Sequence, residues 1–155
     1  MEINARLIAK ILINKCHELD REITNLKLQK LLYFAQGHYM QENEGNPLFE
    51  DDFQAWAHGP VVPDVYSEYK DYSWFNLPKQ KNVEEVSNEI DIFLVKLLKN
   101  YGSAGGKQLE IISHDEQPWL DARGNLNPYA PSKKPISKDS IRKYYALKGK
   151  LNAII

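Results

Sequence analysis

Between Leu26 and Met40 the sequence reads LKLQKLLYFAQGHYM, and this stretch limits the possible folds more than any other. Leu28, Leu31, Leu32, Ala35 and Tyr39 recur at three- and four-residue spacing, and Tyr33, Gln36 and Met40 fill a neighbouring stripe. An apolar sector that wide needs neighbours on more than one side, which predicts a central helix with others packed around it. Thr24 is placed to cap its start, and Gly45, Asn46 and Pro47 supply a stop. Gly37 disfavours a helix interior by about 1 kcal/mol relative to alanine, which a close helix crossing would explain.

Helical spacing recurs on both sides of this segment. Ile3, Leu7, Ile8, Ile11 and Leu12 predict a first helix capped by Asn4 and running to about His17. Pro63 is suited to the first turn of a helix that carries Val65, Tyr66 and Tyr69 inward. A fourth helix is expected from Ser87 to Tyr101 with Gly102 as its stop. A fifth, capped by Ser103, would bury Leu109, Ile111 and Ile112. One extra turn is expected around Trp119 to Ala122, and Ser137 caps a last helix through Ile141, Tyr144, Tyr145 and Leu147. The segments KDYSWFNLPKQKN and RGNLNPYAPSKKP read as surface connections. The expected fold is mostly α, one compact domain over residues 1–155 with about six helices and at most a minor β element near residues 53–57.

With 155 residues the chain is long enough to bury a core without covalent staples. Its 20 basic residues face 21 acidic ones, a net charge of −1, so no overall field exists to hold a phosphate backbone, and nucleic acid is not expected as a partner. Cys16 stands alone, so no internal disulfide can form, and a reduced, cytoplasmic location is expected. The N-terminal MEINARLIAKILINK is interrupted by Glu2, Arg6 and Lys10 and does not read as a signal peptide; no run is long enough to span a bilayer.

Local motifs for catalysis are weak. SAGGKQ has no preceding strand and lacks the spacing of a phosphate-binding loop, so no nucleotide cofactor is expected. His17, His38, His58 and His114 lie on separate segments with no paired metal-ligand spacing, so no metal is expected. His114 reads as the end of the fifth helix, where an imidazole answers the negative end of the dipole. Lys27 and Lys30 occupy adjoining faces of the second helix, ordinarily a solvated face; on the functional reading Lys30 and Tyr33 form an exposed polar patch beside a groove. Lys133, Lys134, Lys138, Arg142 and Lys143 form a modest basic cluster.

The stretch AWAHGPVVPDVYSEY, residues 55–69, concentrates restriction in one place. Pro60 pushes Gly59 toward extended geometry and Pro63 opens a helix, while Trp56 brings a large apolar surface with one donor that needs a partner. A rigid structural corner is the first reading, a binding edge the second and an active-site loop the last.

Three blocks in order, LKLQKLLYFAQGHYM, PLFEDDFQAWAHGPVVPDVY and LEIISHDEQPW, resemble the Panacea domain family of SocA-like antitoxins, which also includes GepA-type phage-associated proteins. The resemblance runs from about Leu7 to Tyr145. It implies a mainly helical protein without catalysis that neutralises a cognate toxin by direct binding, with delivery of the toxin to a cytosolic protease in one branch. Carried onto this chain, the family motif covers Leu28, Gln29, Lys30, Leu31, Tyr33 and Phe34; then Leu48, Phe49, Phe53, Ala55, Trp56, Gly59, Pro60, Val61 and Tyr66; then Leu109, His114 and Trp119. Most of these are expected to be skeleton. The expected toxin contacts are Lys30, Tyr33, Trp56, His58, Gly59, Pro60 and Val61, with Trp74 and Phe75 as added anchors. The competing readings are a hydrolase using His58, His114 and a nearby carboxylate, and a phage-encoded modulator of a host protein.

Overall fold

A computed structural model describes residues 2–152. Among the described residues seven helices follow in the order α1 (Ala5–Glu18), α2 (Asn25–Glu42), α3 (Pro63–Tyr69), α4 (Asn88–Tyr101), α5 (Gly106–His114), α6 (Gln117–Arg123) and α7 (Lys138–Leu147). A single 3-10 turn, Lys70–Tyr72, follows α3. The turn expected near Trp119 is a full helix, which raises the count from six to seven. Three caps sit where the sequence places them, at Asn4, Thr24 and Ser137, and Ser87 adds a fourth: each side chain accepts from the backbone N–H three residues on. The expected Ser103 cap does not form. Gly105 takes that position and donates its N–H to Oε1 of Gln108 at 3.1 Å, because the chain needs two more residues to turn from α4 into α5.

α2 is the axis of the molecule, with 14 of its 18 residues buried, and α1, α3, α4, α5 and α7 all pack against it. Burial on most sides means that Asn25, Lys27, Gln29, Lys30, Gln36 and His38 are inside, each with partners. Gln36 accepts from the N–H of Leu48 at 2.8 Å and donates to the carbonyl of Phe49 at 2.7 Å, tying the segment after α2 to the helix. Gly37 marks the crossing with α7: a Cβ there would lie 2.6 Å from Cζ of Tyr145. At this position the absence of a side chain lets the tyrosine ring reach Glu116, whose Oε1 accepts from the hydroxyls of Tyr145 at 2.7 Å and Tyr33 at 2.8 Å.

The minor β element is a three-stranded antiparallel sheet in the order β2-β1-β3, with β1 at Phe53–Trp56, β2 at Gly59–Val61 and β3 at Pro135–Ile136. Ala57 and His58 form the tight turn between β1 and β2, and neither has positive φ. The reversal is completed by Gly59 at φ +105°, not in the extended geometry that Pro60 suggests. α5 also differs from its reading. Leu109, Glu110 and Ser113 face inward, while Ile111 and Ile112 are 57% and 39% exposed, because α5 packs on α2 through the opposite face.

Candidate functional site

The first turns of α2, the β1–β2 turn and the segment from Tyr66 to Trp74 enclose a groove of about 340 Å³ whose lining is mostly apolar. Trp56 and Tyr66 form one wall, their rings 4.9 Å apart and tilted at 65°. The Trp56 indole N–H is satisfied by Oε1 of Gln54 at 2.8 Å, which leaves its rings free to face a ligand. The floor is held by amides: Gln29 accepts from the N–H of Val62 and donates to Asn25, and Asn25 donates to the carbonyl of Tyr66. These bonds fix α2, β2 and α3 in one arrangement.

At the outer rim Trp74 and Phe75 are 78% and 64% exposed and stack with their ring centroids 5.6 Å apart. They sit on a reverse turn in which Phe75 donates its N–H to the carbonyl of Tyr72 at 2.9 Å. Ser73 occupies the first central position with φ 52° and ψ −120°, a conformation that favours glycine. The chain therefore tolerates backbone strain where it presents two aromatic rings to solvent.

Behind the groove lies a cluster of ionisable groups. Lys30 is fully buried and donates to the carbonyl of Pro60 at 2.9 Å; burial pulls its ammonium down to about 7, against the pull of Glu110. Gly59 makes room for it, since a Cβ there would stand 2.6 Å from Cε of Lys30 and 2.9 Å from Oγ of Ser113. Glu110 is buried on α5. Burial alone would raise its carboxyl, but Lys107 at 2.8 Å, with His58 and His114, holds it below the usual range. His58 lies on the turn with Nδ1 3.1 Å from Oε1 of Glu110, and the ionised carboxylate makes that nitrogen the donor. His114 stacks on Trp119 at 4.1 Å, its Nε2 buried without a partner, and burial lowers its pKa against the opposing charge of Glu110. Trp119 in turn donates to the carbonyl of Trp56 at 2.9 Å.

Residues 28–120 match the family described as Antitoxin SocA-like, Panacea domain. The chain belongs to this family. The matched span of the Panacea domain runs from the second turn of α2 into α6 and includes the β1–β2 turn and the aromatic rim. Antitoxin SocA of Caulobacter vibrioides (strain NA1000 / CB15N) is 48% identical over 64 residues, 41% of this chain and 34% of that protein. The match thus spans about a third of the relative's length. No solved structure matches.

Five of the expected contact residues, Lys30, Trp56, His58, Val61 and Trp74, line one groove of this Panacea domain. Lys30 and Tyr33 do not form an exposed patch. Both are fully buried, and they part company: Lys30 turns to Pro60 and Tyr33 to Glu116. Lys27 is buried as well, donating to the carbonyls of Glu22 and Gly102. Gly59 and Pro60 are buried in β2, and Phe75 stands on the rim. Leu28, Leu31, Phe34, Phe49, Phe53 and Trp119 are buried in the core, and Gln29 is buried as an amide that bonds Val62 and Asn25. Asn25, Lys70 and Glu110 were missed. Asn25 carries the only available signal, a short polar residue directly after the Thr24 cap. Glu110 meets His58 across 52 residues of sequence, which no local spacing reveals.

Proposed function

We propose that this protein is a cytoplasmic antitoxin that neutralises a toxin by direct binding, with the groove and its aromatic rim as the contact surface and no substrate converted. The observation that supports it is the exposed Trp74–Phe75 pair at the edge of a preformed apolar groove. Interfaces concentrate their energy in large aromatic anchors that a partner desolvates within a polar rim. The amide-held floor and the strained turn preorganise this surface, so little side-chain freedom remains to be lost on association. Delivery of the bound toxin to a cytosolic protease is compatible with the same surface, since a toxin held at the groove leaves the α4 and α7 faces free. A host protein could occupy the surface in place of a toxin, and gene neighbourhood separates those partners.

Tagging the chain at its native locus and purifying it tests the proposal. A stable complex with the product of a neighbouring gene, toxic when expressed alone and harmless with this chain, is the expected result; purification of the chain alone, with no toxic neighbour, sinks it. Within that complex Trp74→Asp should weaken toxin binding by about 2 kcal/mol, roughly thirtyfold, and leave the thermal transition where it was. Equal loss of folding would mean that Trp74 supports the core.

One contact favours a second reading. His58 is oriented by a buried, ionised Glu110, the pairing that a general base requires. Dose separates the two: an antitoxin that works by occlusion neutralises its toxin mole for mole, whereas a hydrolase clears a molar excess.

A further inference from the structure

The groove has a charge character that the chain as a whole lacks. Over the full sequence 21 acids offset 20 bases, yet the lining contains Lys30, Lys70 and His58 and no Asp or Glu. Two acids on the flanking helices are engaged elsewhere, and Asp71, next to Lys70 on the 3-10 turn, is exposed and outside the lining. Glu68 on α3 pairs with Arg6 and Lys10 of α1, and Glu110 pairs with Lys107 and His58. Lys70 is exposed on the 3-10 turn and, among the described residues, joins none of the ion pairs.

We propose that the groove receives a segment of the partner in which an Asp or Glu side chain stands beside an apolar one. The apolar side chain lies among Trp56, Tyr66 and Trp74, and the carboxylate faces Lys70, with Lys30 in the floor beneath it. This rests on the toxin-binding reading and gives the bound segment its chemistry. A neutral segment would leave the Lys70 ammonium beside an apolar contact and partly stripped of water, and a basic one would be repelled. An acidic one supplies the missing counter-charge. Such complementarity selects partners and accelerates encounter.

The buried lysine supports the same occupant. Lys30 donates one bond, to Pro60, out of the three that an ammonium can make. Pro60 of β2 accepts its bond, and Glu110 and His114 of α5 are the titratable groups whose charges act on it. A carboxylate placed over the floor adds a second negative group near Lys30 and favours its charged form.

Two terminally blocked peptides test this, each about a dozen residues of leucine and alanine with either two glutamates or two glutamines at the same positions. Titrated into the labelled protein, the glutamate peptide should move the indole N–H signals of Trp56 and Trp74 and bind about tenfold tighter than its glutamine twin, a difference that Lys70→Glu removes. Equal binding of the two peptides, shifts confined to another face, or no binding by either overturns the proposal. The toxin complex makes the two readings separable. If Lys70→Glu captures the toxin undiminished, the acidic segment is wrong and toxin binding stands. If the peptides behave as expected while no toxin is captured, the groove chemistry stands and the antitoxin reading falls.

Discussion

Lys30 shows how much a single residue can carry when its surroundings decide its state. In a peptide it would be a solvated cation; here it lies beneath Gly59, and burial brings its ammonium from an ordinary 10.5 to about 7. The unfolded chain therefore holds a proton on this lysine, between about pH 7 and 10.5, that the folded chain has given up. Stability contributed by this group rises with pH across that window, with a slope approaching about 1.4 kcal/mol per pH unit. Lys30→Met removes the term. In urea titrations the variant should be favoured relative to the parent near pH 6 and lose that advantage steadily by about pH 9. Parallel profiles for the two proteins would place the lysine in contact with water. Comparing the pair isolates Lys30 from Cys16 and Lys27, whose own shifts act in the same range in opposite directions.

At the level of elements, the legible parts were those whose causes are local. Asn4, Thr24 and Ser137 cap their helices because a side-chain oxygen and an N–H three residues away need nothing else. The close crossing expected at Gly37 is present for the same kind of reason, since a helix-interior glycine points to a neighbour that needs the space. Gly37→Ala raises the intrinsic helix propensity of α2, yet it drives a methyl into the Tyr145 ring. A net loss of about 2 kcal/mol is expected, and a denaturation curve shifted to higher denaturant would show that α7 yields easily. What stayed hidden was set by distant partners. A central helix was read correctly, but the burial of Lys30 and Tyr33 depends on Pro60 and Glu116, 30 and 83 residues away. The outward face of α5 was misread because leucine and isoleucine at 109, 111 and 112 cannot all face one neighbour on a nine-residue helix. For the site, Trp56, His58, Val61 and Trp74 were legible as restricted or aromatic residues, whereas the groove that joins them exists only once α2 and α3 meet.

Tyrosines from three helices close the packing at α2: Tyr33 of α2 meets the ring of Tyr145 from α7, and Phe34 stacks on Tyr101 of α4. Tyr33 and Tyr145 are buried against the Glu116 carboxylate, and burial with that negative charge holds both phenols well above their ordinary range; burial raises Tyr69 and Tyr101 likewise. Groups that keep their protons longer in the folded state contribute stability below the unfolded value, ordinarily about 10, and that stability is lost as pH climbs beyond it. Alkaline titration should therefore unfold the protein cooperatively, with the phenolate absorbance of these four tyrosines appearing together with the loss of helix signal. Phenolate absorbance from all nine tyrosines ahead of unfolding would place these hydroxyls in solvent. The same closure has a consequence for the protein's birth. Gln41 bonds to Tyr145, which the ribosome adds 104 residues later, so the flank of α2 around Tyr33 and Gly37 stays uncovered until α7 has emerged. The groove, assembled from residues 24–74, is synthesised long before. A nascent chain thus holds every residue of its contact surface before Glu110, Trp119 and β3, which brace the β1–β2 turn, have been added, and for that interval a chaperone or a protease meets the recognition residues without the finished core.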